Sequence, residues 1–285
     1  MAQPSAAVRA AGRRLMRRGA RGVRSTGFGR RLLTYLAILG PGMITANAGN
    51  DAGGIATFAT IGAEFGYQLL WILIPITISL GIVQEMCARM GAVTGKGLAD
   101  LIRERFGVRW TALVMLALLV ANAGVTVSEF VGIAAATELF GIHKFVSVPF
   151  AAILIWWLIV KGSYKRVERV FLLMSLVFFG YVISAFLAKP EWGEVAIGLV
   201  KPTFRFEHLF LFSFVAVIGT TISPYMQVFV QSSVVEKGVT AENYNKTKAD
   251  VWAGTLFAVL IVFFIVVSTA ATLHKAGIQI STAED

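Results

Sequence analysis

A carboxylate followed by glycines interrupts one of the long apolar segments of this chain. Asp51 lies within residues 50–54, which read Asn-Asp-Ala-Gly-Gly, inside the apolar stretch 37–60. Glycine costs roughly 1 kcal/mol relative to alanine in a helix interior, so two in series predict a break that frees backbone carbonyls. A carboxylate beside free carbonyls could bind a hard cation. The alternative is a glycine-mediated helix contact in which Asp51 hydrogen-bonds to a neighbour.

A second apolar stretch, residues 209–235, is interrupted by hydroxyls and a proline. Thr220 and Ser223 precede or adjoin Pro224, which has no N–H and clashes with the turn before it, so backbone carbonyls are released. A proline kink alone is common in membrane helices. Two broken spans in corresponding halves, however, point to the midplane site of a secondary transporter. An ionisable side chain at that depth, here Asp51, predicts function.

A third apolar segment carries a polar stripe. Asn122, Thr126 and Glu129 are spaced i, i+4 and i+7, so they share one face of a helix. Glu129 could relay a proton, supply outer-shell charge to a cation, or pair with a buried hydrogen-bond donor. The sequence leaves these three roles open.

The remaining reactive side chains do not form a recognisable site. His143, His208 and His274 fall near the ends of apolar segments, and none is spaced with another ligand. The single cysteine, Cys87, excludes an internal disulfide framework and a cysteine-rich metal centre. The sequence shows no Ser/His/Asp arrangement, phosphate loop or metalloprotease motif. We therefore expect no enzyme activity and no cofactor.

The composition predicts which elements position these residues. The chain is 56% hydrophobic with a mean hydropathy of +0.73, above the 45–50% apolar content usual for soluble domains. Apolar runs of about 20 residues favour a polytopic all-α membrane protein over a β-barrel. Seven spans are predicted, at about 33–60, 67–91, 110–138, 145–160, 167–188, 208–235 and 251–273.

Basic residues predict the orientation. Residues 1–31 hold nine arginines and no acid, and we expect a disordered cytoplasmic tail; an organelle transit peptide is the alternative. The loops near 92–109 and 161–169 carry four Lys or Arg each, whereas the loop near 61–66 carries none. We therefore expect a multi-pass protein of a bacterial plasma membrane, with its N-terminus in the cytoplasm. Nucleic-acid binding is not expected.

Several separated motifs resemble those of the Nramp divalent-metal transporters. They are Gly-Pro-Gly-Met at 40–43, the first break with its flank at 50–57, the segment 84–100, Ser-Glu-Phe-Val-Gly at 128–132, and Gly-Thr-Thr-Ile-Ser-Pro at 219–224. The resemblance implies a LeuT-type fold, in which two inverted five-helix repeats each open with a broken helix.

The resemblance also implies a domain organisation. A transmembrane domain over residues 32–285 would comprise a first repeat at about 32–188 and an incomplete second repeat at about 208–285. Only about seven of ten helices would be present, so we expect a truncated fold and a fragment of a longer gene product.

The site residues follow from the family motifs. An aspartate and an asparagine of the first break bind metal in the family, and those positions are Asp51 and Gly54 here. The sixth-helix motif Met-Pro-His falls on Ser223, Pro224 and Tyr225. The implied metal ligands are therefore Asp51, Gly54, Thr220 (through its backbone carbonyl) and Ser223.

The sequence leaves two assignments open, the ligand at the second break and the residues that could relay protons. Counting along the sixth helix could place Met226 instead of Ser223 at the ligand position. Asn122, Glu129 and Tyr225 are implied as outer-shell or proton-relay residues. The family's proton-coupling aspartate and histidine correspond to Thr126 and Tyr225, so coupling to protons is in question.

An all-oxygen site suits a small, hard ion. The implied function is a secondary transporter of a divalent cation, with Mg²⁺ favoured, as in the Nramp-related magnesium transporters, and Mn²⁺ retained. The alternatives are a proton-coupled Mn²⁺/Fe²⁺ symporter and, from another class, a metal-sensing membrane domain that does not transport. The expected partners are the divalent ion and the lipid bilayer, and the sequence predicts no particular oligomeric state.

Overall fold

A computed structural model describes residues 50–161, 174–278 and 280, and within them every regular element is helical. The α-helices are α1 (Ala52–Phe65), α2 (Leu73–Thr94), α3 (Leu98–Phe106), α4 (Val108–Glu138), α5 (Lys144–Lys161), α6 (Phe179–Leu187), α7 (Trp192–Val200), α8 (His208–Thr221), α9 (Pro224–Glu236) and α10 (Tyr244–Thr269). Short 3₁₀ turns cover Leu70–Ile72, Ser175–Phe178 and Ala241–Asn243, and a π-helical turn covers Ala270–His274.

Five helical stretches in the described part of the chain are long and apolar enough to cross a membrane. They are Leu70–Thr94, Val108–Glu138, Lys144–Lys161, His208–Glu236 and Ala241–His274, and Leu176–Leu187 is a shorter apolar helix. These agree with five of the seven predicted spans. The predicted spans at 33–60 and 167–188 begin outside the described residues, as does the basic tail at 1–31.

The second break lies where the proline predicts it. Helix α8 ends at Thr221 and α9 begins at Pro224, so only Ile222 and Ser223 are non-helical. Proline is suited to the first helical position because its missing N–H would have no partner there.

The first break differs from the prediction. Gly53 and Gly54 do not unwind the chain but form the first turn of α1, which begins directly after Asp51. The reason is that Asp51 caps this helix through its side chain, and the cap stabilises a turn that glycine alone would weaken.

Helices α1 and α8 run antiparallel. Phe65, at the end of α1, meets Phe210, near the start of α8, with ring centroids 5.4 Å apart in an edge-on arrangement. Both helices are 14 residues long. Tyr225, just after the break at Ile222 and Ser223, lies within electrostatic reach of Asp51, so the opposite ends of the two helices are also close to each other.

The apolar core is shared by α1, α2, α8 and α10. Helix α1 lies so close to α10 that a Cβ on Gly62 would come within 2.7 Å of the Val266 carbonyl oxygen. The buried core includes Phe58, Ile61, Phe65, Leu70, Ile72, Ile76, Phe210, Val217, Ile261, Ile265 and Val267. This packing fixes the half-helix that carries Asp51.

Helix α4 is mostly exposed, and Ala135 is its one buried residue. It packs against α5, where Thr137 donates to the Ser147 hydroxyl at 2.8 Å, and against the start of α1. Apolar side chains along its outer surface suit contact with lipid. The helix therefore presents Glu129 to α1 from the edge of the bundle.

The Glu85 carboxylate on α2 lies 2.9 Å from Lys248 Nζ, accepts from Trp252 Nε1 at 2.7 Å and accepts from the Tyr244 hydroxyl at 3.3 Å. All three partners lie on α10, so Glu85 joins α2 to α10.

Candidate metal site at the two helix breaks

Asp51 is the N-cap of α1. Its Oδ1 accepts a hydrogen bond from the Gly54 N–H at 2.6 Å, and its own carbonyl accepts from Ile55 N at 2.8 Å. The positive end of a helix dipole stabilises a carboxylate in this position. Gly54 has no side chain to offer, so its contribution is the N–H that orients the Asp51 carboxylate.

Glu129 reaches the same end of α1 from α4. Its Oε1 accepts from the Ala52 N–H at 3.1 Å. The first N–H groups of a helix have no partner within the helix, and here two of them bind two different carboxylates. Glu129 therefore pairs with a backbone donor, which is one of the three roles left open by the sequence, and it lies beside Asp51.

Small residues make this approach possible. A Cβ on Gly132 would lie 2.6 Å from the Ala52 Cβ, and a Cβ on Gly53 would lie 3.0 Å from the Ser128 hydroxyl oxygen. Gly132 lies three residues after Glu129 and four after Ser128, so it neighbours both on the surface of α4. The position of Glu129 thus depends on close backbone contact between α4 and α1.

The second break offers oxygen atoms from α8. The Ser223 hydroxyl is buried and donates to the Thr220 carbonyl at 3.1 Å, so these two proposed ligands lie in contact with each other. The carbonyls at a helix C-terminus carry partial negative charge, which favours a cation. The carbonyls at the end of α8 and the Asp51 carboxylate at the N-cap of α1 both carry negative charge, so together they favour a cation.

Tyr225 follows the break in the first turn of α9 and is half-buried. Its hydroxyl lies within electrostatic reach of the carboxylates of Asp51 and Glu129. This places the residue that corresponds to the family's histidine beside both acids.

Met226 is directed elsewhere. Its side chain is 1% exposed, and its sulfur accepts from Gln84 Nε2 on α2 at 3.8 Å. Gln84 in turn accepts from the Thr255 hydroxyl on α10 at 3.4 Å. This geometry favours Ser223 over Met226 as the residue that faces the break.

The structure does not bring the whole polar stripe of α4 to the site. Asn122 and Thr126 are exposed, and the Thr126 hydroxyl donates to the Asn122 carbonyl at 2.8 Å within the helix. Asn122 lies two turns from Glu129, or about 10 Å along the axis. Of the three residues, Glu129 makes the contact with α1.

Asn50, which the sequence alone does not mark as a site residue, is held by α10. It is 5% exposed, and its side-chain amide donates to the Ala258 carbonyl on α10 at 3.5 Å. This contact fixes the residue before Asp51. An amide within an apolar segment is the signal that could have indicated a buried partner, although the partner itself is 208 positions away.

The donor set is mixed rather than built from side chains alone. Within residues 50–161 and 174–278, no group of three or more His, Cys, Asp or Glu side chains is placed to hold a metal. A cation at the breaks would therefore combine the Asp51 carboxylate with the Thr220 carbonyl and the Ser223 hydroxyl. Hard divalent ions accept such combinations.

The comparison with protein families decides the affiliation. Residues 42–285 match the family model described as natural resistance-associated macrophage protein-like, Nramp. The chain belongs to the Nramp family. This agrees with the resemblance found in the separated sequence motifs.

Curated relatives of this Nramp chain are named divalent metal cation transporter MntH. The protein of Klebsiella pneumoniae is 32% identical over 253 residues, and that of Erwinia tasmaniensis is 27% identical over 254 residues. Each alignment covers 85% of this chain and 60% of the relative. The chain thus spans about 60% of the length of these relatives.

Solved structures confirm the fold. Two variants of the Eremococcus coleocola manganese transporter match with a TM-score of 0.72 at 23% and 24% identity, over 88% of this chain and 54% of theirs. The predicted all-α, LeuT-type architecture is confirmed, and the match covers only part of the solved transporters. The Nramp chain is an integral, multi-pass membrane protein.

Proposed function

We propose that this chain carries the ion site of a secondary transporter for divalent metal cations. The observation that supports it is the proximity of the two breaks, since Asp51, the cap of α1, lies within electrostatic reach of Tyr225, two residues after Ser223. Gly54 completes the first break by orienting the carboxylate. Helices broken at membrane depth bind ions in this manner in secondary transporters.

The charges near the breaks support a cation as the ligand. Asp51 and Glu129 lie at the same end of α1, and among the described residues neither forms an ion pair with Lys, Arg or His. A divalent ion would offset this negative charge. Glu129 and Tyr225 then surround the ion from α4 and α9, and Asn122 would act only from farther along α4.

Two ions are the candidate substrates. Mn²⁺ is favoured by the likeness to the Eremococcus coleocola manganese transporter. Mg²⁺ is favoured by the chemistry of this chain, because Ser223 offers oxygen where the family motif has a thioether. We propose that the site binds Mn²⁺ and also admits Mg²⁺.

The proposed setting is a bacterial plasma membrane with the N-terminus in the cytoplasm. The orientation follows from the excess of basic residues in the loops near 92–109 and 161–169, and the membrane is proposed from the relatives in Klebsiella pneumoniae and Erwinia tasmaniensis. Proton coupling is proposed to be weak, because Thr126 and Tyr225 replace titratable groups of the family motif.

Uptake into proteoliposomes containing the full-length protein tests this proposal. We expect saturable Mn²⁺ uptake that excess Mg²⁺ inhibits, and we expect Asp51→Ala to abolish both uptake and calorimetric Mn²⁺ binding while the protein remains folded. Asn122→Ala is the matched control, because it removes a polar side chain of α4 outside the contact with α1. Undiminished binding by Asp51→Ala would refute the site, and uninhibited uptake would refute admission of Mg²⁺.

A further inference from the structure

A histidine forms a hydrogen bond with the C-terminal end of α1, which is opposite Asp51. His274 Nδ1 lies 2.8 Å from the Ala63 carbonyl oxygen in the last turn of α1. The last four carbonyls of a helix have no partner within the helix, and this one is satisfied by the imidazole. Because a carbonyl only accepts, Nδ1 must carry the proton.

A glycine and an irregular turn place the ring there. Gly66, with φ of 57°, ends α1, and a Cβ on it would lie 2.9 Å from His274 Cδ2. His274 ends the π-helical turn Ala270–His274, which follows α10 directly. π-Helical turns are rare in proteins, and those that occur are often at functional sites.

A cavity lies beside the contact between His274 and Ala63. A cavity of about 440 Å³ is lined by Gly66, Ala271 and His274 on one side and by residues of the segment 189–203 on the other. The neighbouring Lys275 ammonium lies 3.5 Å from the Glu191 carboxylate, so that acid is already engaged. The His274 ring therefore has room to leave Ala63 without displacing the buried core.

We propose that His274 is a positioning residue of the transport cycle: its hydrogen bond to Ala63 holds α1 in the orientation that places Asp51 at the second break. This proposal rests on the proposed transport function. The sequence places His274 near the end of an apolar segment, and its partner 211 positions away becomes visible only in the fold.

Because α1 is long, a small tilt at the His274 contact displaces Asp51 at the other end of the helix. Asp51 lies 11 residues before the close contact at Gly62, or about 16 Å along the helix at 1.5 Å per residue. A tilt of about 5° around that contact would displace Asp51 by about 1.4 Å, taking the same rise. Metal–ligand distances tolerate only about 0.2 Å, so release of the outer end would weaken ion binding.

The test compares three substitutions in the full-length protein by Mn²⁺ calorimetry. The amide of His274→Asn can occupy the position of Nδ1, whereas that of His274→Gln corresponds to Nε2, and His274→Ala removes the donor. We expect the Ala and Gln variants to bind Mn²⁺ at least fivefold more weakly and the Asn variant to stay within twofold of wild type. Thr272→Ala is the control, because its hydroxyl donates to Ser268 within its own helix.

A metal-independent readout separates this proposal from the transport proposal. Ala271 lines the cavity, so a cysteine introduced by Ala271→Cys reports on access to it through maleimide labelling. The natural Cys87 is 5% exposed and should label slowly. We expect at least threefold faster labelling when His274→Ala or His274→Gln is added.

Each outcome bears on one claim. Unchanged Mn²⁺ affinity in the Ala and Gln variants would overturn the positioning role, and an Asn variant as weak as Ala would overturn the hydrogen bond as its cause. If wild-type protein bound neither Mn²⁺ nor Mg²⁺, the transport proposal would fail, and equal labelling in all variants would then still overturn the role of His274. If His274→Ala does not fold, the Asn and Gln pair decides.

Discussion

Gly132→Ala should weaken metal binding although this residue is not a ligand. The added Cβ would lie 2.6 Å from the Ala52 Cβ, whereas non-bonded carbon atoms pack at about 3.5–4.0 Å. Helices α4 and α1 must therefore separate by roughly 1 Å at this point. The hydrogen bond from Ala52 N to Glu129, now 3.1 Å, would lengthen beyond the usual limit of about 3.2 Å.

The magnitude follows from the cost of overpacking. Inserting a methyl group into a close contact costs about 1–3 kcal/mol. Because Ala52 adjoins Asp51, part of this strain falls on the site. A loss of about 1.4 kcal/mol in binding corresponds to a tenfold increase in Kd. We therefore expect Gly132→Ala to weaken Mn²⁺ binding by about tenfold.

Calorimetry on detergent-solubilised full-length protein measures this loss, with a thermal melt to confirm folding. Gly124→Ala is the matched control, since it adds the same methyl group to the same helix where no atom lies within 4 Å of the new Cβ. We expect the control to bind Mn²⁺ like wild type and to melt no earlier. Equal affinity for Mn²⁺ in Gly132→Ala, Gly124→Ala and wild type would refute the argument that close packing of α4 positions the site.

Two further predictions concern selectivity and coupling. Ser223→Met should shift preference toward Cd²⁺ by about tenfold relative to Mg²⁺ in competition assays, because a thioether favours softer ions; an unchanged ratio would show that Ser223 does not face the ion. Mn²⁺ uptake should be accompanied by little acidification of the vesicle lumen, because Thr126 and Tyr225 replace titratable groups; strong acidification recorded with a pH-sensitive dye would support a symporter instead.

Local chemistry in the sequence predicted the breaks, and long-range packing decided the rest. Pro224 locates the second break to within two residues because its missing N–H and ring clash act locally. The unwinding expected at Gly53 was wrong, since the Asp51 cap stabilises the first turn of α1. The partners of Glu85 lie on α10, more than 150 positions away, where no local pattern in the sequence could indicate them.

The contact between Glu129 and Ala52 illustrates the same limit. The sequence identifies Glu129 as an acid in an apolar segment, but not the backbone donor 77 positions away that it binds. Gly132 falls in the family-like motif at 128–132, but the sequence does not reveal its role, which is to leave space for another helix. Residues that act through proximity thus become visible only when the helices are packed.

The central claim is that one divalent cation binds between Asp51, the Thr220 carbonyl and the Ser223 hydroxyl. The most direct test is a crystal structure of the full-length protein grown with Mn²⁺, with anomalous diffraction data to locate the ion. We expect one anomalous peak within about 2.0–2.6 Å of an Asp51 carboxylate oxygen and of the Thr220 carbonyl oxygen, the range for hard cations. A strong peak at another place in the fold, with no density at the two breaks, would contradict it.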